Sequence, residues 1–336
     1  MPERDLQSEY ETLAALDAGT SDDKRLRGHR FEKFLNRLLA HEKLQPRTRY
    51  RPSGEEIDGS FYLDGRFFLL EAKWHEKPLP ASTIYAFRGK IDGKLLGTLG
   101  IFISMSGYST EAVDALTLGK ALNLLLFDRD DVQESIRGPA SFTEVLHAKL
   151  RAAAEEGVIY LTSAARALGR SGSVDESPAA HAAPATVIVC EGRMDEVVLR
   201  TLAERVVGPG HETLRIVSAM GKFSIPHLAR NLHDMLPPET HLILVADSDG
   251  DVTSTREMLS GAMAGTTNYR IVVPHPRLEA WLGLGDRPRR GRPDMSRLVT
   301  AARSIDIETL RRSDPSFDEL YRAFSILTST RGKHGV

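Results

Sequence analysis

Apolar residues recur along this chain at spacings that alternate between helix-like and strand-like. Leu6, Leu13 and Leu16 stand out from polar neighbours over residues 3–18, which predicts an amphipathic helix. A polar break, Thr20-Ser21-Asp22-Asp23, precedes residues 24–40, where Phe31, Phe34, Leu35, Leu38 and Leu39 repeat at helical spacing. Strands follow at 57–63 and 67–73, joined by Asp64-Gly65, a dipeptide that accepts the positive φ of a tight hairpin turn. Residues 100–105 and 122–127 read as buried strands, with helices starting near Ser109 and covering 142–156. Residues 171–185 are rich in Ser, Ala and Pro and poor in bulky apolar side chains, the composition of a flexible linker. Strands at 186–190, 214–217, 242–246 and 269–273 then alternate with helices at 194–206, 224–235 and 253–263. That alternation predicts a parallel sheet covered by helices. The rest of the C-terminal part reads as helical, and the basic stretch 287–292 as an exposed loop.

The 336 residues suggest two domains at about 150 residues each. The pattern places one at 1–150, a helical segment and linker at 151–185, and a second domain with a helical C-terminus at 186–336. A net charge of −2 means that any nucleic-acid surface is a local patch, not a global field. No apolar run approaches the ~20 residues of a membrane helix, and residues 1–10 lack a signal-peptide core. The single cysteine, Cys190, excludes an intrachain disulfide and a zinc cluster. A cytoplasmic protein is expected. No Gly-x4-Gly-Lys-Ser/Thr loop occurs, so an ATPase engine is not expected in this sequence.

Two sets of acidic residues stand at predicted strand ends, one in each half. In the first, Glu71 and Lys73 are two apart on one strand and leave it on the same face. Asp58 lies on the neighbouring hairpin strand, near enough to share that face. Two carboxylates can hold Mg²⁺ against a scissile phosphate, while an ammonium positions water and offsets charge in the transition state. Glu32, on the preceding helix, can add a further carboxylate. The plainer reading is a surface ion pair between Glu71 and Lys73 on an edge strand. Against it, Phe67-Phe68-Leu69-Leu70 points to a central strand. Tyr85, Arg88 and Lys90 read equally as phosphate contacts or as solvated helix residues.

These residues resemble a known family. Arg27-Gly28-His29-Arg30-Phe31-Glu32, Gly54-Glu55-Glu56-Ile57-Asp58-Gly59, Leu69-Leu70-Glu71-Ala72-Lys73-Trp74 and the segment 100–109 look like Mrr-type restriction endonucleases of the PD-(D/E)XK superfamily. The likeness covers about residues 24–135. It implies a mixed sheet flanked by helices, a catalytic core of Asp58, Glu71 and Lys73, and Glu32 as accessory acid.

In the second half, Glu191 follows the strand 186–190, and Asp247-Ser248-Asp249 follows the strand 242–246. Sites in open parallel sheets form outside the carboxyl ends of strands, so both acidic groups fall at one sheet edge. Asp247 and Asp249 can present carboxylates to one cation, with Glu191 as a further ligand or an acid/base group. The plainer reading is an acidic loop capping a helix. An EF-hand fails, because Val252 stands where its glycine is needed and Met258 where its glutamate is needed. Lys222 reads equally as an ammonium at this site or as a plain loop lysine. Glu191-Gly192 with Asp195-Glu196, together with Asp247-Ser248-Asp249-Gly250-Asp251, resembles the TOPRIM domain. The run from Pro274 to Leu282 is similar to its OLD-like, nuclease-like branch. The resemblance implies a Rossmann-like parallel sheet and adds Glu279 to the acids.

The expected protein is an α/β metal-dependent DNA endonuclease of bacterial defence or DNA repair, using Mg²⁺ or Mn²⁺. Asp58, Glu71, Glu191, Asp247, Asp249 and Glu279 are its expected metal ligands. The expected assembly is a homodimer acting on DNA away from membranes, with room for a separate activator protein. A second reading keeps the nuclease in one half and makes the other half a non-catalytic nucleic-acid- or nucleotide-binding regulator. A third is a nuclease directed at RNA.

Overall fold

The structure, a computed structural model, describes residues 3–16, 19–51, 55–118, 123–170, 184–208, 214–284 and 295–329. Gly54, most of the expected linker (171–183) and the basic stretch 287–292 lie outside the described residues. The chain divides into two compact units, Met1–Ser163 and Ala164–Val336. No described helix is long and apolar enough to cross a membrane.

The first unit opens with helices α1 (Glu3–Ala14) and α2 (Ser21–His41). Helix α2 starts three residues before the apolar pattern does, and the reason is local. The Thr20 side chain accepts from Asp23 N, and the Asp23 carboxylate accepts from Thr20 N, a reciprocal cap. The polar break is thus the cap of the helix it precedes. Strand β2 (Ile57–Leu63) pairs antiparallel with both β1 (Arg47–Tyr50) and β3 (Arg66–Lys73). The chain then crosses through α3 (Ala81–Asp92) to β4 (Leu99–Ser104), and through α4 (Thr110–Thr117) to β5 (Leu124–Asp128). These last strands pair in parallel, giving a five-stranded mixed sheet in sequential order. Helices α5 (Arg129–Arg137) and α6 (Phe142–Glu156) complete the unit. Strand β1 carried no apolar signal because it is a polar edge strand, Arg-Thr-Arg-Tyr.

Alternation along the strands sorts the two sheet faces. Phe61, Phe68, Leu70, Ala72, Ile101, Ile103, Leu125 and Phe127 face α1, α2, α5 and α6 in one core. On the other face, α3 presses close to β4 at Gly100, where an added Cβ would lie 2.1 Å from Ile91 Cδ1. That approach lays α3 beside Glu71. A buried ion pair anchors the far edge. Lys149 Nζ lies 2.9 Å from Asp131 and donates to the carbonyls of Leu126 (3.0 Å) and Leu161 (2.5 Å).

The second unit contains α7 (Ser163–Arg170), β6 (Thr186–Cys190), α8 (Arg193–Val207), β7 (Leu214–Ser218) and α9 (Ile225–Met235). Strand β8 (His241–Val245), α10 (Val252–Ala262), β9 (Tyr269–Val272) and a 3₁₀ turn at Leu278–Leu282 follow. Helices α11 (Met295–Ser304), α12 (Ile307–Ser313) and α13 (Pro315–Ser329) close it. Its four strands are all parallel, in the order β7-β6-β8-β9. The order reverses between β6 and β8, so a crevice opens beyond their carboxyl ends. Trp281 is buried against Phe317, ring centroids 5.3 Å apart, and belongs to this unit's core.

Removing one partner of a buried ion pair leaves an uncompensated charge. Lys149→Met should therefore destabilise the first unit by about 3–5 kcal/mol, whereas the double variant Lys149→Met/Asp131→Leu should recover part of that loss. Urea denaturation of the three proteins measures it.

Candidate functional site

The first acidic set sits where β2 meets β3. The turn between them has positive φ at both central residues, Asp64 (47°) and Gly65 (81°), as a two-residue hairpin requires. It fixes the register Gly59↔Leu70, Ser60↔Leu69 and Tyr62↔Phe67. One step beyond Gly59, Asp58 comes opposite Glu71. Both are buried, and Lys73 lies between them. Lys73 Nζ is 2.7 Å from Glu71 Oε1 and 3.3 Å from Asp58 Oδ2. Asp58 Oδ2 also accepts from Ala72 N at 2.9 Å, which locks the carboxylate onto β3. Burial pulls the Lys73 ammonium down, but the Asp58 and Glu71 carboxylates outweigh it and leave its pKa raised. It therefore stays charged at neutral pH.

A second ammonium reaches the same carboxylate. Lys90, from α3, donates to Glu71 Oε2 at 2.9 Å and to the Glu56 carbonyl at 2.9 Å. Sequence left Lys90 open between phosphate contact and solvated residue. The helical spacing of Ile84, Phe87 and Ile91 marks α3 as packed, but only the tertiary placement of that helix aims Lys90 inward. Arg88 instead pairs with Asp92, and the Tyr85 hydroxyl donates to the Ala115 carbonyl at 2.9 Å.

Glu32 approaches from α2. Its Oε2 is buried without a hydrogen-bond partner; the His29 ring lies 3.7 Å away and the Arg49 guanidinium 3.8 Å. Burial, reinforced by the Asp58 charge, raises its pKa. A buried, unsatisfied acceptor near two further carboxylates supplies oxygen atoms of the kind a divalent cation takes as ligands. A groove of about 690 Å³ opens next to Lys73, lined by Lys24, Arg25, Arg27, Arg49 and Lys77 among others. His75 lies exposed at this groove, and burial together with Lys73, Arg27 and Lys24 lowers its pKa. The local excess of cations is the footprint of a phosphate-binding surface on a chain of slightly negative net charge.

The second acidic set lies at the β6/β8 crevice. Glu191 Oε1 accepts from Asp247 N at 2.8 Å, and Asp247 Oδ1 accepts from Leu278 N at 2.8 Å. Asp195, in the first turn of α8, accepts from Gly192 N at 2.8 Å. Burial is the main force on all three carboxyls, and neighbouring acids add to it. Glu191 is pushed up to about 8 with Asp195 beside it, and Asp247 to about 9 with Glu191 and Asp195. Asp195 is pushed up to about 7, with Glu279 the neighbouring acid. Asp249 is held differently from Asp247. It turns through φ 49°, is exposed, and is engaged by Lys222 Nζ at 3.2 Å and Arg277 Nε at 3.1 Å. Lys222 also donates to the Asp247 carbonyl at 2.5 Å, so it does bring an ammonium to this crevice. Asp195 was visible in the first motif, but its place among the acids depends on α8 starting directly after Gly192.

Among the described residues, no group of three or more His, Cys, Asp or Glu side chains is drawn together closely enough to hold a metal ion. Lys73 bridges Asp58 and Glu71, and Lys222 and Arg277 engage Asp249.

The raised carboxyls of the crevice set a pH dependence. Each folded-state value lies above its ordinary value, so folding favours the protonated acid. That stability is fully present below about pH 4 and is lost as pH rises through about 7 to 9. Thermal melts in chelator should show the second unit losing stability between pH 6 and about 9. Glu191→Gln/Asp247→Asn should flatten that decline.

Comparison with known proteins bears on the first unit. Residues 24–136 match the family model Mrr_cat, described as restriction endonuclease. No curated protein matches the chain. Among solved structures, a crystal structure of a protein of unknown function, AF1548, shares 15% identity at a TM-score of 0.25, covering 69% of this chain and 94% of that one. Residues 24–136, which carry Glu32, Asp58, Glu71, Lys73 and Lys90, are therefore similar to a restriction endonuclease domain.

Proposed function

We propose that this protein is a divalent-metal-dependent DNA endonuclease, acting in defence against foreign DNA or in DNA repair, with its cleavage site on β2 and β3. The observation that carries this reading is the meeting of Asp58, Glu71 and Lys73 on one sheet face, inside the segment that matches restriction endonucleases. Asp58 and Glu71 would hold the ion, with Glu32 as accessory acid; Mg²⁺ is the primary candidate and Mn²⁺ the substitute. When bound, such an ion supplies Lewis-acid stabilisation of the charge that develops on the phosphate. Lys73 orients the attacking water and offsets charge at the scissile phosphate. Lys90 holds Glu71 from its far side. The groove lined by Lys24, Arg27 and Lys77 takes the neighbouring phosphates. Two copies acting together would reach both strands of a duplex.

The second unit is read as TOPRIM-like, with Glu191, Asp247, Asp249 and Glu279 as its candidate metal ligands. One observation favours the alternative in which this unit binds and regulates without cutting. Asp249 is already engaged by Lys222 and Arg277, and burial raises the pKa of Glu191 and Asp247.

Plasmid nicking in Mg²⁺, Mn²⁺ or chelator tests the reading. Cleavage should need a divalent ion, and Asp58→Ala or Lys73→Met should lower it by at least about 10²-fold, the usual cost of losing a group that stabilises transition-state charge. Asp247→Ala separates the two versions. A comparable loss makes the second unit part of the cutting machinery, and retained cleavage makes it a binder. Wild-type protein that cuts no DNA with either ion would overturn the proposal.

A further inference from the structure

The sheet face that bears Asp58, Glu71 and Lys73 continues beyond them. Alternation along β3 puts Phe67 and Leu69 on the same face as Glu71 and Lys73, and along β2 it puts Ser60 and Tyr62 on the face of Asp58. The register confirms the match, pairing Ser60 with Leu69 and Tyr62 with Phe67. Towards the hairpin tip this face is not covered by α3. Tyr62 is 46% exposed and Phe67 54% exposed, with their ring centroids 5.1 Å apart. Two large aromatic rings left this open are costly unless something covers them.

They border a groove of about 610 Å³. Its described lining includes two cations, Arg47 and Lys94, and no acid. The Arg47 guanidinium stacks 4.1 Å above the Tyr50 ring. Lys94 follows the end of α3 and pairs with Glu55 at 3.0 Å, and Leu95 beside it is 77% exposed. Flat aromatic faces bordered by the Arg47 guanidinium suit nucleobases on a phosphate backbone. A protein partner would meet the same apolar rings but has no phosphate for the Arg47 guanidinium to meet.

The placement relative to the carboxylates sets the geometry. The basic groove lies beyond Lys73 at one end of β3, and the aromatic groove lies at the other end, around Phe67. Glu71 lies four residue steps beyond Phe67 on β3, a span of about 13 Å at ~3.3 Å per step. That corresponds to about four nucleotides at a stacked rise of ~3.4 Å, and fewer in a stretched strand.

Resting on the nuclease reading above, we infer that the Tyr62–Phe67 face is a stacking platform for unpaired bases within about four nucleotides of the cleaved phosphate. The preferred substrate is then DNA with an unpaired stretch beside the cut, such as a junction, flap or overhang, and not a uniformly paired duplex. Paired bases present no free face to the rings.

Binding is measured with the full-length Asp58→Ala protein in chelator, so that nothing is cut. The probes are oligonucleotides with 2-aminopurine in an overhang, at positions one to five from the junction, and a blunt duplex of the same length. Stacking should quench the overhang probe. Adding Tyr62→Ala/Phe67→Ala should abolish the quench and weaken overhang binding by about tenfold or more, with less than about a threefold change for the blunt duplex. Tyr62→Phe should keep the quench. Both rings are exposed, so the fold should survive, and circular dichroism checks it. Equal weakening of both probes, or no quench at any position, overturns the platform. A concentration-dependent dimer that the two alanines dissolve, without quenching, also overturns it and assigns the face to a second copy. Cleavage by the otherwise wild-type protein keeps the two readings apart. Quenching with no cleavage sinks the nuclease reading alone. Cleavage in which the two alanines affect paired and unpaired substrates alike sinks the platform alone.

Discussion

Asp58 faces Glu71 because a two-residue turn closes the β2–β3 hairpin, and the first unit's chemistry depends on that register. Side chains alternate along a strand, so a slip of one residue would send Asp58 into the core and bring apolar residues to the site. The register is held from several sides. Asp64 and Gly65 supply the positive φ of the turn, and Phe61 stacks on Phe68 across the strands, centroids 4.9 Å apart. The core face of the hairpin is filled by Phe31, Phe34 and Leu38 from α2. The Asp58 carboxylate itself accepts from Ala72 N, so the acid is part of the pairing that positions it.

Charge balance at the site follows from that pairing. Two buried carboxylates on one face repel each other. Lys73 pairs with both and Lys90 with Glu71, one from the same strand as Glu71 and one from α3. The contrast with the second unit is instructive. Around Glu191, Asp195 and Asp247 burial and the neighbouring acids raise the carboxyl pKa values. Clustered acids are met by lysines in the first unit, and by a raised proton affinity in the second.

Much of the fold was legible because it rests on short-range pattern. The alternation of helices and strands, the Asp-Gly turn, the 142–156 helix and the parallel arrangement of 186–190, 214–217, 242–246 and 269–273 follow from spacing and turn chemistry. What escaped the pattern had physical reasons for doing so. Strand β1 is a polar edge strand whose pairing comes from backbone hydrogen bonds, and helix α5 is set by a cap from Asp128 and Asp131.

The site divides along the same line. Residue types and strand-end positions, readable from the sequence, brought Asp58, Glu71, Lys73, Glu191 and Asp247 forward as candidates, because carboxylates and lysine at strand ends are recognisable without knowing what surrounds them. The tertiary structure decided what each of them touches. It placed Lys90 on Glu71, left Glu32 Oε2 buried and unsatisfied, turned Asp249 towards Lys222 and Arg277, and added Asp195 to the acids of the crevice. Those outcomes depend on how distant segments pack, on burial and on the direction of individual side chains. Local spacing fixes which residues share a face, but it holds no information on what the rest of the chain brings to that face.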